Sequence, residues 1–213
     1  MKANYHTHTQ RCLHAVGAEE DYVKSAIASG LSCLGLSDHA PFPDWNLGMR
    51  MAYEELPEYL AEIDRLAEKY ASRITLHKAL EIEYIPQEQA YYERLYREEQ
   101  LDYLLLGEHV FFDDNGRFYD IYHCASTEEY LFYANSIAKA LDTGLFPVVA
   151  HPDLFSYNPH PWDENCEEAS RIIMNAALKH GTVLEFNANG VRRGLKEFPD
   201  GIRYPYPIRK FWE

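Results

Sequence analysis

Short apolar runs alternate with longer amphipathic stretches along this chain, the pattern of β/α units built around a parallel sheet. The first run, Ala3 to His8, predicts a strand. A helix is predicted from Glu19 to Ser29, stopped by Gly30, a residue suited to the left-handed position past a helix end. Cys33 to Ser37 reads as the second strand and leads into Asp38-His39. Leu56, Leu60, Ile63 and Leu66 recur at helical spacing and predict a helix from about Tyr53 to Tyr70. The third strand is expected over Thr75 to Tyr84, a tyrosine-rich helix over Gln87 to Glu98, and the fourth strand over Leu101 to Gly107. Asp114-Asn115-Gly116 predicts a hairpin turn within Phe111 to Tyr122. Ser126-Thr127-Glu128-Glu129 reads as a capping box that opens a helix to about Asp142. Phe146 to Ala150 is the fifth strand, Glu164 to His180 a helix closed by Gly181, and Val183 to Phe186 the sixth strand. Ile208 to Glu213 reads as the start of another helix.

The polar residues that interrupt this pattern fall at particular places. His39, His109 and His151 each follow an apolar strand run, Glu81 lies near the end of another, and His6 and His8 end the first. In β/α barrels, active sites are built at the carboxyl ends of strands. Alternate strand residues share a face, so His6 and His8 can reach one metal ion, and Glu81 and Glu83 point the same way. A carboxylate, unlike a neutral imidazole, can bridge two ions. Five strand ends bearing His or Glu form an N/O donor set suited to Zn, Mn or Fe. No cysteine falls there, which argues against a closed structural zinc site. An open cluster of this type suits phosphoester hydrolysis; a histidine-rich metal barrel acting on C–N bonds is the competing chemistry. His77, His123, His160 and His180 sit elsewhere and read as surface or loop residues. Neither a G-x-S-x-G elbow nor a phosphate-binding P-loop occurs.

Bulk properties narrow the setting. The 213 residues suit a single domain spanning the chain. A net charge of −14 disfavours nucleic acid and anionic membranes as partners. A small anionic substrate stays compatible, because bound divalent cations reverse the local field. Cys12, Cys33, Cys124 and Cys166 form no C-x-x-C pair, and no apolar run approaches the length of a membrane span. A cytosolic, cytoplasmic protein with reduced thiols is expected. The tyrosine-rich helix with Tyr91, Tyr92 and Tyr96 is either a homo-oligomer interface or a half-exposed amphipathic helix.

Several stretches together resemble the polymerase-and-histidinol-phosphatase (PHP) family of metal phosphoesterases, and within it the monofunctional histidinol-phosphatase branch. They are His6-Thr7-His8-Thr9, Arg11 to Gly17 (RCLHAVG), Gly35 to Pro41 (GLSDHAP), Ala79 to Tyr84 (ALEIEY), Leu106 to His109, Ala150 to Leu154 (AHPDL) and Leu184 to Arg192 (LEFNANGVR). They cover essentially the whole chain in the family order. The resemblance implies a distorted, TIM-like (β/α)7 barrel with a centre of up to three divalent metal ions. It implies His6, His8, His14, His39, Glu81, His109 and His151 as metal ligands, with Glu81 bridging. Arg192 is implied as the clamp on the substrate phosphate, with Arg11 a second candidate; a guanidinium bonds two phosphate oxygens at once. The implied reaction is hydrolysis of L-histidinol phosphate in histidine biosynthesis by a metal-activated hydroxide. Glu81 and His151 would act in catalysis. Asp153 and Glu108 are candidates for the acid or for contacts around the ligands. Glu83 or Asp113 could face the amine of the substrate. The family pattern ends in a last strand and a Gly-Ser-Asp-Ala-His segment that this sequence does not contain, so the expected barrel lacks its last strand and the expected site lacks two ligands. Two other readings are compatible: a PHP-type phosphoesterase of different small-molecule specificity, and a non-catalytic metal-binding remnant.

Overall fold

The computed structural model describes residues 2–44 and 47–213. They fall into two compact units, Met1–Ile82 with Ala90–Leu105, and Glu83–Gln89 with Leu106–Glu213.

The first unit is built from β1 (Ala3–Asn4), α1 (Glu19–Ala28), β2 (Cys33–Leu36), α2 (Leu56–Tyr70), β3 (Thr75–Ile82), α3 (Gln89–Arg97) and β4 (Tyr103–Leu106), less the outermost residue of each of the last two. The strands lie side by side in the order β1-β2-β3-β4. β1 pairs with β2, and β2 with β3, in parallel, with Asn4 opposite Leu34 and Leu36 opposite Lys78. Cys33, Leu34 and Leu36 are buried, as are Ala79, Leu80 and Ile82 of β3, the continuous apolar run that a covered parallel strand needs. α2 buries Leu56, Leu60, Ile63 and Leu66, the residues its periodicity singles out, and adds Tyr59. Gly35 makes room for a cross-sheet strut. A Cβ there would lie 1.9 Å from the Tyr103 hydroxyl, and that hydroxyl donates to the Tyr5 carbonyl at 2.6 Å. In α3, Tyr91 and Tyr92 are buried, and the Tyr91 hydroxyl donates to the Pro41 carbonyl at 2.7 Å.

The first strand is shorter than the sequence predicts. β1 stops at Asn4; beyond it the Thr7 carbonyl still accepts the Ser37 N–H at 3.0 Å, but N–H groups turn to side chains. The N–H of His6 donates to the Asn4 side chain at 3.1 Å and that of Thr7 to the Ser37 hydroxyl at 3.0 Å. His6 and His8 thus lie on an irregular segment beyond the strand, and the period-2 argument for them does not apply.

The second unit holds β5 (Val110–Phe112), β6 (Phe118–Asp120), α4 (Glu129–Asp142), β7 (Val148–Val149), α5 (Glu164–His180), β8 (Val183–Leu184), α6 (Asn189–Arg192), β9 (Lys196–Phe198), β10 (Gly201–Arg203) and α7 (Arg209–Trp212). β5 and β6 form the expected hairpin, with Gly116 in its turn at φ +77°. β7 and β8 run parallel, and the Ala150 N–H donates to the Leu106 carbonyl at 2.8 Å. The fifth and sixth strands are each only two residues long. α5 begins where Asp163 accepts the N–H groups of Asn165 and Cys166 at 3.0 and 3.1 Å, and ends at Gly181 with φ +67°. α4 and α5 pack on each other, burying Tyr133, Ile137, Ala169 and Ile173. The β9–β10 hairpin has no forerunner in the pattern analysis: its strands have three residues each and Phe198 alone is buried, so no periodicity marks them. Among the described residues no helix is long and apolar enough to cross a membrane.

Candidate metal centre

The register of β2 with β3 continues past the end of β2. His39 pairs with Glu81 as an isolated parallel bridge; the Glu81 N–H donates to the Asp38 carbonyl at 3.0 Å, and the Ala40 N–H to the Glu81 carbonyl at 2.8 Å. Residues paired in this way project to the same face, which brings His39 Nδ1 to 3.2 Å from Glu81 Oε2. His6 Nε2 and His8 Nε2 approach the same oxygen at 3.2 and 3.0 Å, and each other at 2.9 Å. Glu81 is 1% exposed. Three imidazole nitrogens therefore meet one buried carboxylate oxygen. A divalent cation satisfies such a set in one step, and His6, His8 and Glu81 lie close enough to share one.

His14 follows a short 3-10 turn, Gln10–Cys12. Its ring centroid is 5.1 Å from that of His8 and 5.2 Å from that of His39. Its Nδ1 lies 2.8 Å from the Cys12 carbonyl, so that nitrogen carries the hydrogen and Nε2 keeps a lone pair. Asp38 is buried beneath the cluster and accepts from the Thr9 N–H at 2.6 Å, the Thr9 hydroxyl at 2.8 Å and the Cys12 thiol at 2.8 Å. Arg11 is engaged elsewhere: its Nε pairs with the buried carboxylate of Glu19 and its Nη2 lies 3.0 Å from Glu58.

In the second unit, His109 Nδ1 lies 3.0 Å from Oε1 of the fully buried Glu83. The His109 ring stacks on Tyr122 at 6.3 Å and an interplanar angle of 12°, and its centroid is 5.1 Å from that of His151. His151 has φ +30°, a conformation that side chains avoid. Its N–H donates to Glu185 Oε2 at 3.1 Å, and the Asn187 amide reaches the same oxygen at 2.9 Å.

Glu108 and Asp153 are interior groups. Glu108 accepts the Tyr84 N–H at 2.8 Å and the Ser136 hydroxyl at 2.5 Å, and burial pushes its carboxyl up to about 8. Asp153 Oδ2 accepts the Ile208 N–H at 2.7 Å and the Trp212 indole N–H at 3.1 Å, and burial pushes its carboxyl up to about 6. Asp113 holds its own turn, accepting the N–H groups of Asn115 and Arg117, both at 2.9 Å. Arg192 is exposed on α6. The first unit thus gathers His6, His8, His14, His39 and Glu81, and the second holds His109 and His151 with Glu83. Sequence reasoning gave no role to Cys12 or Glu185. The one signal for Cys12 was its place four residues after His8; Glu185 was hidden in an apolar run at the sixth strand.

These features define a class: an α/β protein with a parallel sheet and histidine rings gathered at a buried carboxylate, an N/O donor set suited to a metal ion. The PHP domain model matches residues 4–189. The chain belongs to the PHP family. It is 31% identical over 212 residues to the "Probable histidinol-phosphatase" of Deinococcus radiodurans, covering 95% of this chain and 77% of that one. It is 25% identical over 222 residues to the histidinol-phosphatase of Bacillus subtilis, covering 91% and 82%. A crystal structure of Lactococcus lactis histidinol phosphate phosphatase, complexed with zinc, L-histidinol and phosphate, matches with a TM-score of 0.68 at 19% identity, over 88% of this chain and 73% of that one. The crystal structure of a Listeria monocytogenes protein assigned to the same phosphatases matches with a TM-score of 0.72 at 22% identity, over 89% and 84%. The α/β fold is the one these phosphatases share.

Proposed function

We propose that this chain is a metal-dependent phosphatase that hydrolyses L-histidinol phosphate to L-histidinol and phosphate, a step of histidine biosynthesis carried out in the cytoplasm. The observation that carries the chemistry is the set of His6, His8 and His39 nitrogens around Glu81 Oε2 at 3.0–3.2 Å. The substrate is taken from the relatives: the matched proteins are histidinol phosphatases by name, and one was crystallised with histidinol and phosphate.

His6, His8, His39 and Glu81 would hold a divalent ion, with His14 beside them; His109 and His151, with Glu83, form the second unit's own donor group. Zinc, manganese and iron all suit these N/O donors, and up to three ions would follow the family pattern. Such an ion supplies Lewis-acid charge to a phosphoryl oxygen and to the attacking water. Glu81 contributes the negative charge that retains it. Arg192, exposed and without a carboxylate neighbour in its helical turn, is assigned to the phosphate oxygens. Arg11, tied to Glu19 and Glu58, is assigned to joining α1 and α2. Glu108, which accepts from Tyr84 and Ser136, and Asp153, which accepts from Ile208 and Trp212, are assigned to holding the structure. With the excess of acidic residues over the chain as a whole, a cationic amine on the substrate is favoured, and nucleic acid and anionic membranes are not.

A panel of phosphate monoesters assayed with the metal-loaded chain tests the specificity. Histidinol phosphate should be turned over at least tenfold faster than nucleotide or sugar phosphates, about 1.4 kcal/mol of discrimination. Equal rates across the panel would leave a phosphoesterase of another specificity.

A further inference from the structure

Cys12 touches three of the candidate metal-ligand residues at once, and it is completely buried. Its sulfur lies 2.8 Å from Asp38 Oδ1. A sulfur that close to a carboxylate oxygen has its hydrogen between the two. The same sulfur is 3.3 Å from His8 Nδ1 and accepts the backbone N–H of His39 at 3.0 Å. Its backbone carbonyl accepts from His14 Nδ1 at 2.8 Å.

The direction of these bonds fixes a tautomer. With its hydrogen given to Asp38, the sulfur offers His8 only lone pairs. The Nδ1 of His8 must therefore be the donor, which leaves the Nε2 lone pair facing Glu81 Oε2 at 3.0 Å. Metal-bound histidines usually receive this hold from a carboxylate, a carbonyl or water on the other ring nitrogen. Here a thiol stands between the carboxylate and the imidazole. Asp38 is itself fixed by two bonds from Thr9.

We propose that Cys12 is a positioning residue of the metal centre: its sulfur passes the orienting hold of Asp38 on to His8, and its carbonyl orients His14. The inference rests on reading this cluster as a metal site, and it makes Cys12 neither a ligand nor a nucleophile.

Zinc affinity, measured by competition with a chromophoric chelator on the full chain, tests it without reference to turnover. C12A removes the relay and should weaken zinc binding by about 10- to 100-fold. C12S keeps a donor toward Asp38 and an acceptor toward His8, and should bind close to wild type. C12V keeps a side chain of similar volume without donor or acceptor; it should weaken zinc as C12A does, and it serves if C12A fails to fold. Cobalt-loaded wild type should lack the near-ultraviolet sulfur-to-metal band. Wild-type affinity in folded C12A or in C12V overturns the proposal, as does a sulfur-to-cobalt band that C12S abolishes. Wild-type protein that binds no zinc overturns the metal reading itself, whereas failure of the relay alone leaves wild-type binding intact.

Discussion

Oε2 of Glu81 lies 3.0 Å from Nε2 of His8. Glu81 comes from β3, where parallel pairing with the segment after β2 sets its face, and His8 from the irregular stretch after β1. Glu81 is thus the negative charge on which the donors of the first unit converge. E81Q keeps the volume and removes the charge. Metal content per chain should fall, and turnover should drop by about 100-fold or more, beyond the effect typical of residues that only orient ligands. Circular dichroism should be unchanged. Near-normal turnover with near-normal metal content would remove Glu81 from the centre.

Asp153 ties the last residues of the chain to the loop that carries His151. Its carboxylate accepts from Ile208 and Trp212. Truncation to alanine strands both donors, so D153A should lose about 1–3 kcal/mol in denaturant unfolding, with a change in tryptophan fluorescence. D153N retains an acceptor and should lose less. Abolished turnover in D153A with wild-type stability would instead place Asp153 in the chemistry.

Acid should loosen the packing of α1 on α2. The Glu20 carboxylate bonds Lys69 and Tyr70 of α2 at 2.8 and 2.6 Å, with Lys24 also in reach at 3.2 Å. These bonds, that from Lys69 foremost, hold its carboxyl down to about 2 from 4.5. A pKa lowered by folding stabilises the fold above the unfolded value and ceases to do so as pH falls through the folded one. The contribution is complete above about pH 5 and fades between 4.5 and 2. E20Q should therefore flatten the stability profile in that window and leave its slope above pH 6 unaltered. Melting temperatures at stepped pH check this; identical profiles for the two proteins would refute it. The effect should be small, since the group is at the surface.

Gly35 should tolerate no side chain. A Cβ would meet the Tyr103 hydroxyl at 1.9 Å and Tyr5 Cα at 3.2 Å. G35A should cost about 1–3 kcal/mol of stability and lower metal affinity by displacing the segment that carries His6 and His8. Adding Y103F removes the nearest clashing atom and should recover part of the loss, a coupling that a double-mutant cycle measures. Strict additivity would mean that the strut is not the cause.

Long amphipathic segments were the most legible part of this sequence. α2 stands where Leu56, Leu60, Ile63 and Leu66 place it, and α5 runs from Glu164 to His180 and ends at Gly181, as expected. Strands were overread. The runs at Ala3, Phe146 and Val183 are apolar enough for longer strands, but each strand has only two residues; after β1 the Asn4 and Ser37 side chains take the N–H groups of His6 and Thr7. The histidines of the first unit do gather, yet for His6 and His8 the cause is that looped backbone and not strand alternation. The contacts of Cys12, Asp38 and Glu185 around the histidines were illegible, since they join residues up to 34 positions apart. The interior placement of Glu108 and Asp153 was equally hidden: nearness in sequence to His109 and His151 says nothing about which way a carboxylate points.

Phosphate release from L-histidinol phosphate, measured on the full chain after chelator treatment and again after zinc or manganese is added back, is the most direct test of metal-dependent phosphatase activity. Activity should vanish with the bound metal and return with it, in proportion to the ions regained per chain. Turnover that persists in metal-free protein, or a metal-loaded chain that leaves histidinol phosphate intact, would contradict it.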